Sequence, residues 1–151
     1  MMNKIMEASV GDASEILAIQ KAAYLSEAEL YNDYTIQPLH QQVHDVEKEF
    51  DDRLILKYVE NGNILGSIRA FVEGDTCHIQ KLMVDPQAQN KGIGRALMEE
   101  IEQRFSDYRF ELFTGSKSTK NISFYEKLGF TGYKTEKIPR EETVFLFMKK
   151  E

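Results

Sequence analysis

The sequence of 151 residues is poor in cysteine and in long apolar runs, the features that mark disulfide-bonded, metal-binding and membrane proteins. Its one cysteine, Cys77, can form neither an internal disulfide nor a cysteine cluster for a metal, and we expect a small core residue rather than a nucleophile. No apolar run approaches the ~18 residues of a membrane span, and the first residues lack the apolar core of a signal peptide. These features predict a cytoplasmic protein without a membrane segment or a metal site.

Basic residues are also scarce: 19 Lys and Arg stand against 25 Asp and Glu, for a net charge of -6. Nucleic-acid binding depends on Lys and Arg that neutralise phosphates, so this balance argues against a nucleic-acid partner. The negative charge either favours cationic partners or only keeps a small domain in solution. No internal repeat or linker is visible, which predicts a single domain over residues 1–151.

Turn residues and apolar periodicity divide the chain into alternating helices and strands. Apolar residues at helical spacing predict helices over residues 14–30, 41–50 and 93–105, and a shorter helix over 120–128. Asn61-Gly62 lies between two apolar runs and predicts a tight hairpin, because both positions of such a turn require positive φ angles. The predicted order is β-α-α-β-β-β-α-β-α-β-β, an α/β fold.

The segment "QNKGIG", residues 89–94, stands where a predicted strand meets a predicted helix. Free N–H groups and the helix dipole make such a helix start an anion site, and Gly92 and Gly94 have no side chains to hold a diphosphate away. The dinucleotide fingerprint is excluded because Leu97 replaces its third glycine, and no Gly-Lys-Ser/Thr sequence is present. By themselves, two spaced glycines also fit a tight turn into a helix.

The wider stretch from Ile79 to Phe105 resembles motif A of the GNAT superfamily of N-acetyltransferases, and Asn121 and Tyr125 in "NISFYEKLGF" match its motif B. The resemblance covers essentially the whole chain and is weakest before residue 51. It implies a GNAT-like fold with a mixed, mostly antiparallel central sheet and helices on both faces. It also implies an acetyl-CoA-dependent N-acetyltransferase.

The resemblance assigns one set of residues to the acetyl donor, and it implies no metal. The diphosphate is expected on the backbone of the 89–95 segment, and the pantetheine arm along residues 82–84, where family members splay two strands. Pro86 lacks an N–H and helps to end strand pairing beside this cleft. The residues expected to bind acetyl-CoA are Leu82, Met83, Val84, Gln89, Asn90, Lys91, Gly92, Ile93, Gly94, Arg95 and Asn121.

Two residues are expected to move protons. Tyr125 resembles the family tyrosine that protonates the departing thiolate. His78 stands where histone-acetylating members carry a glutamate base, and an imidazole titrates near neutral pH. A half-exposed strand histidine without function is an equally good interpretation. Many relatives place a glutamate where this chain has Gln80, which cannot accept a proton but could hold a water.

The acceptor is the least defined part of the prediction. The stretch "SEAELYNDY" joins Glu27, Glu29 and Asp33 to tyrosines such as Tyr31, and it forms either a wall for a cationic amine or a solvated acidic helix face. We expect direct transfer to a primary amine of a small molecule or peptide within a ternary complex. The alternative is a non-catalytic acyl-CoA sensor. The apolar run "TVFLFM" predicts a last strand buried on both faces and a possible homodimer seam.

Overall fold

The computed structural model describes residues 4–139 and 141–151, and strands make up its centre. The strands are β1 Ile5–Glu7, β2 Leu54–Glu60, β3 Asn63–Glu73, β4 Thr76–Val84, β5 Arg109–Gly115, β6 Thr131–Lys137 and β7 Val144–Lys150. They form one seven-stranded sheet in the order β1-β2-β3-β4-β5-β7-β6. Only the pairing of β4 with β5 is parallel, so the sheet is mixed and mostly antiparallel, as predicted.

Helices cover both faces of this sheet. They are α1 Ala13–Tyr31, α2 Gln37–His40, α3 Val43–Glu49, α4 Ile93–Arg104 and α5 Thr119–Lys127. On β2, Ile55 packs in a cluster with Ile16 and Ile19 of α1, whereas Leu56 packs in the cluster that holds Leu97 of α4. Because neighbouring strand residues point to opposite faces, α1 and α4 lie on opposite sides. No helix in the described part of the chain has the length and apolar character needed to cross a bilayer.

Local sequence signals explain several element boundaries. Asn61 and Gly62 adopt φ angles of 53° and 78°, so the hairpin between β2 and β3 forms where the sequence predicted it. Helix α1 ends at Asn32, whose left-handed conformation is typical of a helix C-terminus. The segment around Pro38 contains the short helix α2, because proline needs no N–H partner in a first helical turn. Cys77 is fully buried, which confirms its interpretation as a core residue.

The last strand differs from its prediction. Among the seven positions of β7 only Met148 is buried, so the prediction of a strand buried on both faces is wrong. One face instead carries Phe145, whose ring packs against Phe113, and Phe147, over which the Lys134 ammonium lies 4.9 Å from the ring centre. Both edges of β7 are paired, to β5 and β6, so a homodimer could not form through the edge of this strand.

Candidate active site

A cleft opens between the two parallel strands at the middle of the sheet. Strands β4 and β5 pair only where Thr76–His78 meets Arg109–Glu111, and then they diverge. Residues 79–84 therefore have no strand partner on the β5 side. The resulting cavity has a volume of about 880 Å³ and is lined by β4, β5, α1, α4, α5 and the segment before β7. This volume is within the range of sites for small molecules and cofactors.

The first turn of α4 forms one wall of the cleft. Gly92 caps the helix with a φ angle of 79°, and the N–H groups of the first turn have no partners within the helix. A Cβ atom on Gly94 would lie 3.6 Å from Cζ of Phe124, an ordinary contact, so packing does not require this glycine. The missing side chain instead leaves the cleft open. Of the predicted donor residues only Lys91 does not line the cavity.

Asn121 reaches the cleft from α5 and is held by two neighbours. Its Nδ2 donates to Oε1 of Glu27 at 3.0 Å and lies 3.4 Å from Oγ1 of Thr114. Glu27 comes from α1 and also accepts a hydrogen bond from Ser118. Burial raises the pKa of Glu27, and the hydrogen bonds from Ser118 and Asn121 oppose this rise. The predicted pantetheine contact and an acidic side chain therefore lie side by side.

Tyr125 also lines the cleft from α5. Its ring packs edge-on against Phe124 and Phe130, with ring centres 5.2 and 6.1 Å apart, and its hydroxyl makes no hydrogen bond to any described residue. Burial raises the pKa of Tyr125, and the nearby Tyr24 and Glu27 raise it further. The hydroxyl thus keeps its proton at neutral pH, and none of the described residues holds it by a hydrogen bond.

Comparison with known proteins identifies this arrangement. Residues 16–130 match the model of the acetyltransferase (GNAT) family. The chain belongs to this family. Over 126 residues it is 32% identical to UPF0157 protein YqkA of Bacillus subtilis, a match that covers 83% of this chain and 36% of that protein. Over 71 residues it is 34% identical to the peptidyl-lysine N-acetyltransferase YiaC of Escherichia coli, covering 47% of this chain and 45% of that protein.

The fold is shared with solved structures over the whole chain. The crystal structure of the PaiA N-acetyltransferase from Thermoplasma acidophilum in complex with coenzyme A matches with a TM-score of 0.80 and 17% identity, covering 100% of this chain and 99% of that chain. In contrast, the matches cover less than half of each of the two curated relatives, YqkA and YiaC.

The residues of the predicted acidic wall do not stay together in the structure. Tyr31 lines the cavity, and its hydroxyl accepts the N–H of Lys117 at 2.7 Å. Asp33 is buried elsewhere and accepts hydrogen bonds from Thr35, Thr143 and the backbone of Glu142. These bonds, led by that from Thr35, lower the pKa of Asp33 to about 2. Glu29 is exposed and does not line the cavity.

His78 does not line the GNAT cleft. This side chain lies in a separate pocket of about 250 Å³, beside Glu111 and Tyr133. Its ring stacks on Phe71 with the centres 4.9 Å apart, and its Nδ1 is 3.9 Å from a carboxylate oxygen of Glu111. Gln80 lines both pockets and accepts a hydrogen bond from Arg53. The structure therefore does not bring His78 together with Tyr125.

Sequence reasoning missed a buried network behind the cleft. Arg69 of β3 is fully buried and donates to Gln20 of α1 at 2.7 Å, and to Gln41 and Glu49 at 3.3 Å each. These bonds attach α1 and α3 to the sheet. The available signal was an arginine within the apolar strand "ILGSIRAF", since a charge at such a position requires partners.

Proposed function

We propose that this chain is an acetyl-CoA-dependent N-acetyltransferase that moves an acetyl group to a primary amine of a small molecule or peptide, by direct transfer in a ternary complex. The observation that carries this proposal is the cleft of about 880 Å³ between the diverging strands β4 and β5. The start of α4 and the free hydroxyl of Tyr125 both border it. Family membership supports the proposal.

The residues of the cleft fit the donor. The unpaired edge of residues 82–84 offers backbone groups to an amide-containing arm. The first turn of α4 offers N–H groups and a positive dipole end to a diphosphate, and Arg95 beside it adds positive charge. Acetyl-CoA supplies an acetyl group that is already activated as a thioester. Asn121, held by Glu27 and Thr114, is placed to orient the arm.

Tyr125 and Glu27 are the proposed proton-transfer groups. As the new N–C bond forms and the C–S bond breaks, Tyr125 gives its proton to the departing sulfur, since its raised pKa keeps the hydroxyl protonated. The acceptor must lose a proton, and for a lysine-like amine of pKa about 10.4 this costs about 4.6 kcal/mol at pH 7. Glu27 is a carboxylate on the cleft wall and replaces His78 as our candidate for the group that receives this proton.

Two measurements test this function. Calorimetry should detect acetyl-CoA binding to the protein, and a thiol assay should detect release of free CoA when amines are added. The panel should contain small amines and lysine peptides, because YiaC is named as a peptidyl-lysine acetyltransferase. Binding without thiol release for any amine would instead support the non-catalytic sensor. Absence of acetyl-CoA binding would contradict both.

A further inference from the structure

Lys81 lies at an irregularity of β4 on the wall of the cleft. The pairing of β3 with β4 skips a position between Ser67 and Arg69, so that Lys81 and Leu82 stand opposite the single residue Ile68. Lys81 has a φ angle of 53°, in the left-handed region that a non-glycine residue rarely adopts. Such bulges redirect side chains and occur next to active sites. Here the bulge brings Lys81 into the cavity lining next to Leu82.

The ammonium group of Lys81 has no close polar partner. It makes no hydrogen bond or ion pair with any residue in the described part of the chain, whereas the ammonium groups of Lys4 and Lys57 each contact a carboxylate. Burial lowers the pKa of Lys81 to about 8, so most molecules still carry the charge at pH 7. A desolvated cation without an acceptor is unfavourable, and an incoming anion would relieve that cost.

The charges around Lys81 do not provide this anion. Arg69 and Arg53 are near, and each is paired with a carboxylate, Arg69 with Glu49 at 3.3 Å and Arg53 with Asp52 at 2.9 Å. Glu49 is near as well, but it is already bonded to Arg69 and lies 3.7 Å from Arg53. Glu141 faces Lys81 from the segment before β7, too far away for an ion pair, and it accepts a hydrogen bond from the backbone of Gln37. Among the described residues, the carboxylates near Lys81 are therefore engaged elsewhere, and none lies at ion-pair distance from its ammonium group.

We propose that the acceptor is an amine that also carries a carboxylate, and that Lys81 binds this carboxylate within the cleft. This inference rests on the proposed acetyltransferase function and narrows its substrate class to amino acids and related amino-carboxylates. When Lys81 binds the carboxylate, the length of the acceptor molecule sets the distance between its amine and the Lys81 ammonium. Neutral amines and diamines lack the group that Lys81 recognises.

Matched amines test this substrate class. The rate of CoA release is measured for β-alanine against propylamine, L-lysine against cadaverine, and L-phenylalanine against both phenethylamine and L-phenylalaninamide. The amide controls for the effect of a neighbouring carbonyl on amine basicity. In at least one set we expect kcat/KM of the wild-type protein to favour the carboxylate by about tenfold or more. Equal or faster turnover of the amines that lack a carboxylate would overturn the substrate class and leave the acetyltransferase function standing.

Three variants connect the preference to Lys81. Lys81→Met should reduce the preference to under about twofold, whereas Lys81→Arg keeps the positive charge and should retain it. Lys127→Met, on an exposed position of α5, is the matched control and should behave as the wild type. If Lys81→Arg lost turnover of every amine, Lys81 would be a proton acceptor rather than an anion site. If acetyl-CoA alone added an acetyl group to the wild type but not to Lys81→Arg, Lys81 would itself be the acceptor.

A binding measurement decides the case in which no amine of the panel is turned over. In the presence of CoA, calorimetry compares N-acetyl-L-phenylalanine with its uncharged amide on the wild type and on Lys81→Met. We expect the carboxylate to bind the wild type about tenfold more tightly than the amide, and both to bind Lys81→Met equally. Equal or undetectable binding of both compounds to the wild type would overturn the proposal. Failure of acetyl-CoA itself to bind would contradict the acetyltransferase function instead.

Discussion

The two sides of the cleft are built in different ways. The proposed donor side comes mainly from one continuous segment, residues 82–95, most of whose positions line the cavity. The proposed acceptor side combines α1, β4 and the segment before β7, which buried polar residues such as Arg69 and Asp33 hold together. A backbone site depends on conformation and tolerates changes in most of its side chains. A site assembled from distant segments depends on the few side chains that fix those segments.

The largest effect is expected on the acceptor side, from Arg69→Met. The change leaves Glu49, Gln20 and Gln41 buried without their shared donor, and loss of one member of a buried ion pair costs about 3 kcal/mol or more. Urea denaturation should show this loss in the free energy of unfolding. Adding Glu49→Leu should recover part of it, because the uncompensated carboxylate is then gone. An unchanged midpoint in the single variant would show that the network does not hold this side together.

On the donor side, Tyr125→Phe should give the largest kinetic effect. It removes one hydroxyl while the ring contacts with Phe124 and Phe130 remain, so kcat should fall roughly 100-fold with little change in acetyl-CoA affinity. Raising the pH should not restore the rate, since the missing group is a proton donor. Tyr24→Phe, which removes another hydroxyl from the same cavity, is the control. Wild-type turnover in Tyr125→Phe would mean that the thiolate leaves without a proton from this residue.

A smaller effect on the donor side is expected from Gly92→Val. A β-branched residue is strained at a φ angle of 79°, so the turn before α4 should shift and acetyl-CoA binding should weaken by about tenfold or more. Gly94→Ala distinguishes backbone strain from steric obstruction of the ligand. The added Cβ makes only ordinary contacts in the free protein, so any loss of affinity would come from obstruction. That variant should keep its stability and bind acetyl-CoA less well. Calorimetry showing unchanged affinity in both folded variants would contradict the anion site.

Asp33→Asn should lower the stability of the acceptor side by about 1 kcal/mol at pH 7, because charge-assisted hydrogen bonds become neutral ones. Folding lowers the pKa of Asp33 from 3.8 to about 2, so its contribution is complete above pH 4 and is lost as the pH falls towards 2. Urea denaturation at several pH values should therefore show a constant difference between variant and wild type down to about pH 4, and a shrinking difference below it. A difference that persists at pH 2 would contradict the assigned pKa.

The smallest effect is expected from His78→Ala, because His78 lies in the separate pocket. The kcat/KM of His78→Ala should stay within about twofold of the wild-type value. In contrast, Glu27→Gln should lower kcat/KM at neutral pH and regain activity at alkaline pH, where free amine is available. A large loss in His78→Ala with recovery at alkaline pH would return the base role to His78. Full activity of Glu27→Gln would leave a bound water as the remaining candidate for the base that takes the proton from the amine.

Structural features that depend on a short sequence segment could be predicted, because local backbone preferences determine them. Glycine conformation predicts the turn at Asn61-Gly62 and the helix start after Gly92. Apolar periodicity predicts the order of helices and strands along the chain. Family motifs added the roles expected of Asn121 and Tyr125, which the structure places on the cleft wall. The apolar run of β7 was misread, because apolar content does not show whether lysine side chains or a second layer cover a strand face.

The sequence by itself identified the GNAT family, because the family motifs lie in short continuous segments, and through that resemblance it predicted the mixed sheet and the segment proposed to bind the donor. Only the tertiary structure decided which carboxylates reach the cleft: Glu27 lines it, while its neighbours Glu29 and Asp33 do not. It likewise decided that His78 and Lys81, three positions apart, belong to different pockets. The physical reason is that a strand bulge and helix packing set side-chain direction, and both depend on partners far away in sequence.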